Sequence, residues 1–241
     1  MRWTTLEKIA LGAFGFWFAC GLIFTLGHIG PATVAAWPIP SWLHSFVALC
    51  LGSGDPILIL LAFANTHLLA ARHWGATVAR RWALVIIVLS LVIETCGALT
   101  GFPFGVYSYT DKFGPVLGVV PMTIPLAWHV VLTNALFVVR TILPHLPRWG
   151  EAAGVGFIAT LYDMILEPFA TRVKDYWIWP ADWQWHAGPV PVQNYIAWFV
   201  IGALLVFAFA PTSGNRSGRD PRPALILGAT VVLFLAGILV A

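Results

Sequence analysis

Charge is scarce in this chain. Lys and Arg number 13 and Asp and Glu 10 among 241 residues, and the formal charge of +3 is scattered along the sequence. A surplus so small and so dispersed calls for no nucleic-acid partner. Cysteine is scarcer still: Cys20, Cys50 and Cys96 show no C-x-x-C spacing, which argues against a disulfide framework or a thiolate metal site. The 7 histidines form no H-x-x-x-H or H-E-x-x-H group, so no metal is expected. No internal repeat is visible. Residues 6–28 have spanning length and no A-x-A-like exit, unlike a cleavable signal.

Apolar residues fill the space that charge leaves. They make up 59% of the chain, which excludes an ordinary soluble domain. A hydrocarbon core takes roughly 20 helical residues to cross, and seven stretches qualify: 6–28, 54–71, 82–99, 120–142, 152–168, 191–211 and 223–241. The expected fold is all-α, a polytopic transmembrane bundle forming a single integral-membrane domain. Ten cations, Arg2, Lys8, Arg72, Arg80, Arg81, Arg140, Arg148, Arg216, Arg219 and Arg222, fall on one side of such a bundle. Only Lys112, Arg172 and Lys174 fall on the other. The positive-inside rule then places the N-terminus in the cytoplasm and the C-terminus outside. The polar stretch 211–223 reads as a cytoplasmic loop. The last helix carries no ionisable side chain and reads as scaffold.

Acids at membrane depth are costly unless neutral, paired or wet, so each is a candidate for function. Glu94, Asp163 and Glu167 qualify, and Asp55 borders the second span. In the orientation just derived, Glu94 and the Asp163/Glu167 pair converge on the outer half of the membrane. Residues four apart share a helix face. Two carboxyls held close in poorly solvated surroundings do not both ionise, so one of the pair should keep its proton and serve as an acid beside a base. The plainer alternative is that they cap helix ends or pair with Arg172 or Lys174. His129, inside the fourth span, reads first as a packing residue, and Asn194 as a helix cap or an orienter of water.

Aromatics are abundant: 13 Trp, 16 Phe and 5 Tyr. Trp177, Trp179, Trp183 and Trp185 suit a membrane interface. Phe104, Tyr107 and Tyr109 follow Glu94 directly, and a π-face can stabilise a cation in a dry pocket. Residues 101–118, broken by Gly and Pro, are too irregular to span, so they predict a re-entrant loop over a pocket. The Gly97–Gly101 spacing suits either internal packing or association between copies.

The string "ETCGALTGFPFGVYSYTDKFGPVLGVVPMTIPLAW" (94–128), followed by "YDMILEPFA" (162–170), "YWIW" (176–179) and "GPVPVQNYIAW" (188–198), resembles the membrane-integral carotenoid biosynthesis proteins. These include carotenoid 1,2-hydratases and bisanhydrobacterioruberin hydratases. The likeness covers residues 90–200 in ordered blocks. It departs from the family where "GPVPVQNY" lacks an aromatic beside its first glycine and where Tyr195 replaces Phe.

This resemblance implies addition of water to the terminal C1=C2 bond of an acyclic carotenoid, lycopene-like or a fifty-carbon analogue, without a cofactor. It implies Glu94, Asp163 and Glu167 as catalytic residues. Phe104, Tyr107, Tyr109, Trp128, His129, Trp179 and Asn194 would surround the substrate. Water, membrane lipid and neighbouring carotenoid enzymes are the implied partners. A membrane cyclase would start with the same protonation, and a carotenoid-binding or transport protein is the non-catalytic alternative.

Overall fold

The computed structural model describes residues 3–180, 186–187, 190–212 and 220–241. Local chemistry starts the first helix, α1 (Thr5–Leu26). The Thr4 hydroxyl accepts from the Glu7 amide at 3.2 Å, and the Glu7 carboxylate accepts from the Thr4 amide at 2.8 Å, a reciprocal cap. A short helix, α2 (Pro31–Ala35), leads into α3 (Ser41–Trp74).

The second span was expected to begin at residue 54, and α3 begins well before it. Gly52, Ser53, Gly54, Asp55 and Pro56 interrupt the apolar run without interrupting the helix. Proline removes one amide donor there. The Trp17 indole donates to the Gly54 carbonyl at 2.8 Å beside that break.

Gly75 turns the chain into α4 (Ala76–Thr100). This helix stops at Gly101, whose φ of 78° is left-handed and whose amide returns to the Gly97 carbonyl at 2.8 Å. On its outer face Leu84, Val88 and Val92 are exposed at helical spacing, as lipid contact requires. The next helix, α5 (Thr123–Ile142), is the centre of the bundle. Its apolar window is 83% buried, against 6% for α1, and α3, α4, α6 and α8 all pack on it.

α6 (Arg148–Pro168) runs on into a π-helical turn, Phe169–Val173. α7 (Val192–Phe209) and α8 (Arg222–Val240) complete the bundle. α6 and α7 form the closest pair. A Cβ added to Gly156 would sit 2.6 Å from the Phe199 carbonyl oxygen, so only glycine allows that approach. Among the described residues seven helices, all but α2, are long and apolar enough to cross a membrane, as in a multi-pass membrane protein.

Between α4 and α5 the chain is broken, as expected. Residues Ser108–Tyr109 (β1) pair antiparallel with Trp177–Ile178 (β4), beyond α6. Val116–Leu117 (β2) and Val120–Pro121 (β3) form a second small ladder. The β1–β4 pairing ties the two irregular segments together over the ends of α4 and α6, and thereby over Glu94 and Glu167.

Candidate active site

Glu94, Asp163 and Glu167 are all buried, and all three line one cavity of about 90 Å³. A single water needs roughly 10–15 Å³ by the same measure, so the space admits water beside an apolar group. Glu94 faces inward from α4 and accepts three hydrogen bonds. Tyr107 and Tyr109 donate to its Oε2 at 2.8 and 2.7 Å, and the Trp128 indole donates to its Oε1 at 2.7 Å. Burial, reinforced by the neighbouring Glu94 charge, pushes both phenols above their ordinary range and keeps them as donors.

The second pair is held by one amide. The Nδ2 of Asn194 donates to Asp163 Oδ2 at 2.7 Å and to Glu167 Oε1 at 3.2 Å. Glu167 also accepts from the Trp177 and Trp179 indoles at 3.1 and 2.9 Å. The remaining oxygen, Asp163 Oδ1, is buried without a hydrogen-bond partner among the described residues. Among the described residues no Lys or Arg forms an ion pair with any of the three acids. Lys174, a candidate partner from the sequence, pairs with Asp55 at 2.8 Å, and Tyr176 also donates to Asp55.

Backbone geometry explains why the aromatic loop reaches Glu94. A Cβ on Gly97 would lie 2.6 Å from the Phe104 ring and 3.0 Å from the Tyr107 hydroxyl. The small residue at 97 therefore serves packing inside the chain, seating the loop on α4 one turn beyond Glu94. Downstream, the π turn after Glu167 widens the helix just before the chain turns into β4, and β4 supplies Trp177.

Most of the residues singled out from sequence meet here. Phe104, Tyr107, Tyr109, Trp128, Trp179 and Asn194 line the cavity with the acids. His129 does not. One residue after Trp128 on α5, it turns away from the acids and packs 5.1 Å from the Phe63 ring and 6.2 Å from His67, fully buried. Asn194 makes no cap to α7, and its amide is spent on the two acids.

Three features had been read differently. Trp177 was assigned to the membrane interface, and it donates to Glu167 from a buried position. The last helix was assigned to scaffold, and Thr230, Leu233 and Phe234 of α8 line the cavity. The polar stretch 211–223 was read as loop, and Arg222 belongs to α8 and is buried. Trp183, Trp185, Arg2, Arg216 and Arg219 lie outside the described residues. Trp198, stacked 4.0 Å from Trp128, was missed outright, although the spacing from Asn194 to Trp198 is one helical turn and could have pointed to it.

The sequence profile described as carotenoid biosynthesis protein matches residues 54–241. The chain belongs to the carotenoid biosynthesis protein family. The match runs through the last helix, beyond the blocks recognised by motif. Over 138 residues the chain is 32% identical to the bisanhydrobacterioruberin hydratase of Haloarcula japonica. That alignment covers 55% of this chain and 46% of the relative, so it spans less than half the relative's length. No solved structure matches the chain.

Proposed function

We propose that the chain is a carotenoid hydratase that adds water to the terminal double bond of an acyclic carotenoid. The observation that carries this reading is the Asp163/Glu167 pair, clamped by one amide, with Asp163 Oδ1 left free at a cavity that Glu94 also faces. Family membership supports the substrate class, and the named relative supports hydration.

In this mechanism the pair shares one proton. Asp163 delivers it through its free oxygen to C2 of the terminal trisubstituted alkene, and a tertiary cation forms at C1. Glu94, with both oxygens fixed by Tyr107, Tyr109 and Trp128, is the anion facing that cation. The rings of Tyr107, Trp179 and Trp198 add their π-faces. Water attacks C1 and gives its proton to Glu167, which restores the shared proton of the pair. One water is consumed and no redox cofactor is required. Electrostatic stabilisation of this kind is strongest in a dry, preorganised site.

The distribution of cations sets the orientation within this reading. The N-terminus faces the cytoplasm and the acid cavity lies in the outer half of the membrane. Expression in a lycopene-producing bacterium, followed by chromatography and mass spectrometry of the pigments, tests the activity. A product heavier by one water per reacted end is expected. A cyclised product of unchanged mass would replace the hydratase by a cyclase, and unchanged lycopene would leave the proposal without support for that substrate.

A further inference from the structure

A carotenoid is a long rod, and the acid cavity has room for little more than its end. The rest of the molecule needs a seat, and the structure offers one. A second, larger space of about 700 Å³ lies between α1, the first half of α3 and the end of α8. That volume is in the range of about 300–1,000 Å³ typical of ligand sites. Its walls are mainly apolar and include the rings of Phe16, Trp17, Phe24 and Phe46.

Asp55, Leu58, Phe169 and Leu233 line both this groove and the acid cavity, so these side chains form the boundary between the two spaces. Three of the four are apolar. The fourth, Asp55, has its charge matched by Lys174 at 2.8 Å and accepts a hydrogen bond from Tyr176, which leaves no uncompensated charge at the junction. Glycines leave the groove open. A Cβ on Gly54 would meet nothing within 4 Å, and one on Gly21 would meet only Leu233 methyls at 3.8 and 3.9 Å.

We propose that this groove seats the polyene body of the same carotenoid whose end enters the acid cavity through the Leu58–Phe169–Leu233 junction. The proposal rests on the hydratase reading for the identity of the ligand. It goes further in assigning α1, α3 and α8 a substrate-binding role and in defining where the chain of the substrate runs.

Filling the groove tests it. Gly54→Phe and Gly21→Leu place bulk where the backbone has space for it, away from the acids. Each variant is assayed on a full-length acyclic carotenoid and on a short acyclic isoprenoid that has the same terminal double bond and no polyene. Each is also purified from a carotenoid-producing host, and its retained pigment is measured by absorbance. The expected result is a drop of at least about tenfold in kcat/KM for the full-length substrate, equivalent to about 1.4 kcal/mol. The drop should be carried mainly by KM, with the short substrate unaffected and less pigment retained.

Wild-type turnover and wild-type pigment in both variants would overturn the proposal and leave the groove to lipid. Equal losses on long and short substrates would also overturn it, since blocking the groove should spare a molecule that does not enter it. Should the wild-type protein hydrate neither substrate yet hold pigment that both variants shed, the groove stands and the hydratase reading falls. A wild-type protein that neither reacts nor retains pigment overturns both.

Discussion

Buried carboxyls keep opposite company at the two ends of the bundle. Near the starts of α1 and α8, Glu7 accepts from Arg222 at 2.8 Å and pairs with Arg72. Asp220 accepts from the other side of the same Arg222 at 2.6 Å, with the His73 ring 3.5 Å away. At the junction of α5 and α6, Arg140 and Glu151 form a forked pair, with nitrogen–oxygen distances of 3.2 and 2.9 Å. At the other end, among the described residues, Glu94, Asp163 and Glu167 meet only neutral donors: two phenols, three indoles and one amide. A guanidinium fixes a carboxylate as an anion and holds helices together. Neutral donors fix its position and leave the proton free to move. The same residue type thus keeps charged partners at one end and neutral ones at the other.

Exchanging charge for shape should separate the two ends. The largest effect is expected at the neutral end. Asp163→Asn, Glu167→Gln or Glu94→Gln should each lower turnover by about 10²–10⁴-fold, the range of acid–base catalysis, with Asp163→Asn the most severe and the protein still folded in membranes. Product formation per mole of purified protein measures it, and near-normal turnover in all three would end the proposed mechanism. Smaller losses, about tenfold or somewhat more, are expected for Tyr107→Phe or Tyr109→Phe, each of which removes one hydrogen bond to a charged group.

The ionic end should respond in stability rather than in rate. Arg222→Met takes the guanidinium from Asp220 and leaves Glu7 with Arg72 alone, and loss of one partner of a buried pair costs about 3–5 kcal/mol. Thermal unfolding in detergent should register it, while turnover by the folded fraction stays at the wild-type level. Acid probes the same end more gently. Burial alone would raise the Asp220 carboxyl, but the nearby His73 ring and the hydrogen bonds from Arg222 hold it below the usual carboxylate range. A lowered native value stabilises the fold above the unfolded-state pKa of about 3.9, and the benefit fades as pH falls through the lower native value. The unfolding midpoint should therefore hold from neutral pH to about 5, decline below about 4 in the wild type, and decline less in Asp220→Asn.

The acid site was more legible from sequence than the ionic end. Glu94, Asp163 and Glu167 stood out because charge inside an apolar run is costly, and the 163/167 spacing put two of them on one face. Arg222 and Asp220 sat in a polar stretch beside glycines and prolines, where charge is cheap and carries no signal. Their burial depends on Glu7, 215 positions away from Arg222 in sequence. His129 stands apart from the acids for a rotational reason. One step along α5 from Trp128 turns a side chain by about 100°, and without the packing of α3 nothing in the sequence said which of the two neighbours faced the acids. Trp177 was hidden by the general fondness of tryptophan for interfaces, and only the pairing of β1 with β4 revealed its inward aim.

Gly97, in the last turn of α4, sets the distance between the helix and the aromatic loop. With hydrogen in place of a methyl group, the ring of Phe104 rests against α4, and the Tyr107 hydroxyl arrives at Glu94 without any adjustment of the helix. The absent side chain works as a depth stop for the aromatic roof. Any methyl or larger group added there meets the Phe104 ring and the Tyr107 hydroxyl together, so one backbone position bears on the height of the ceiling above Glu94.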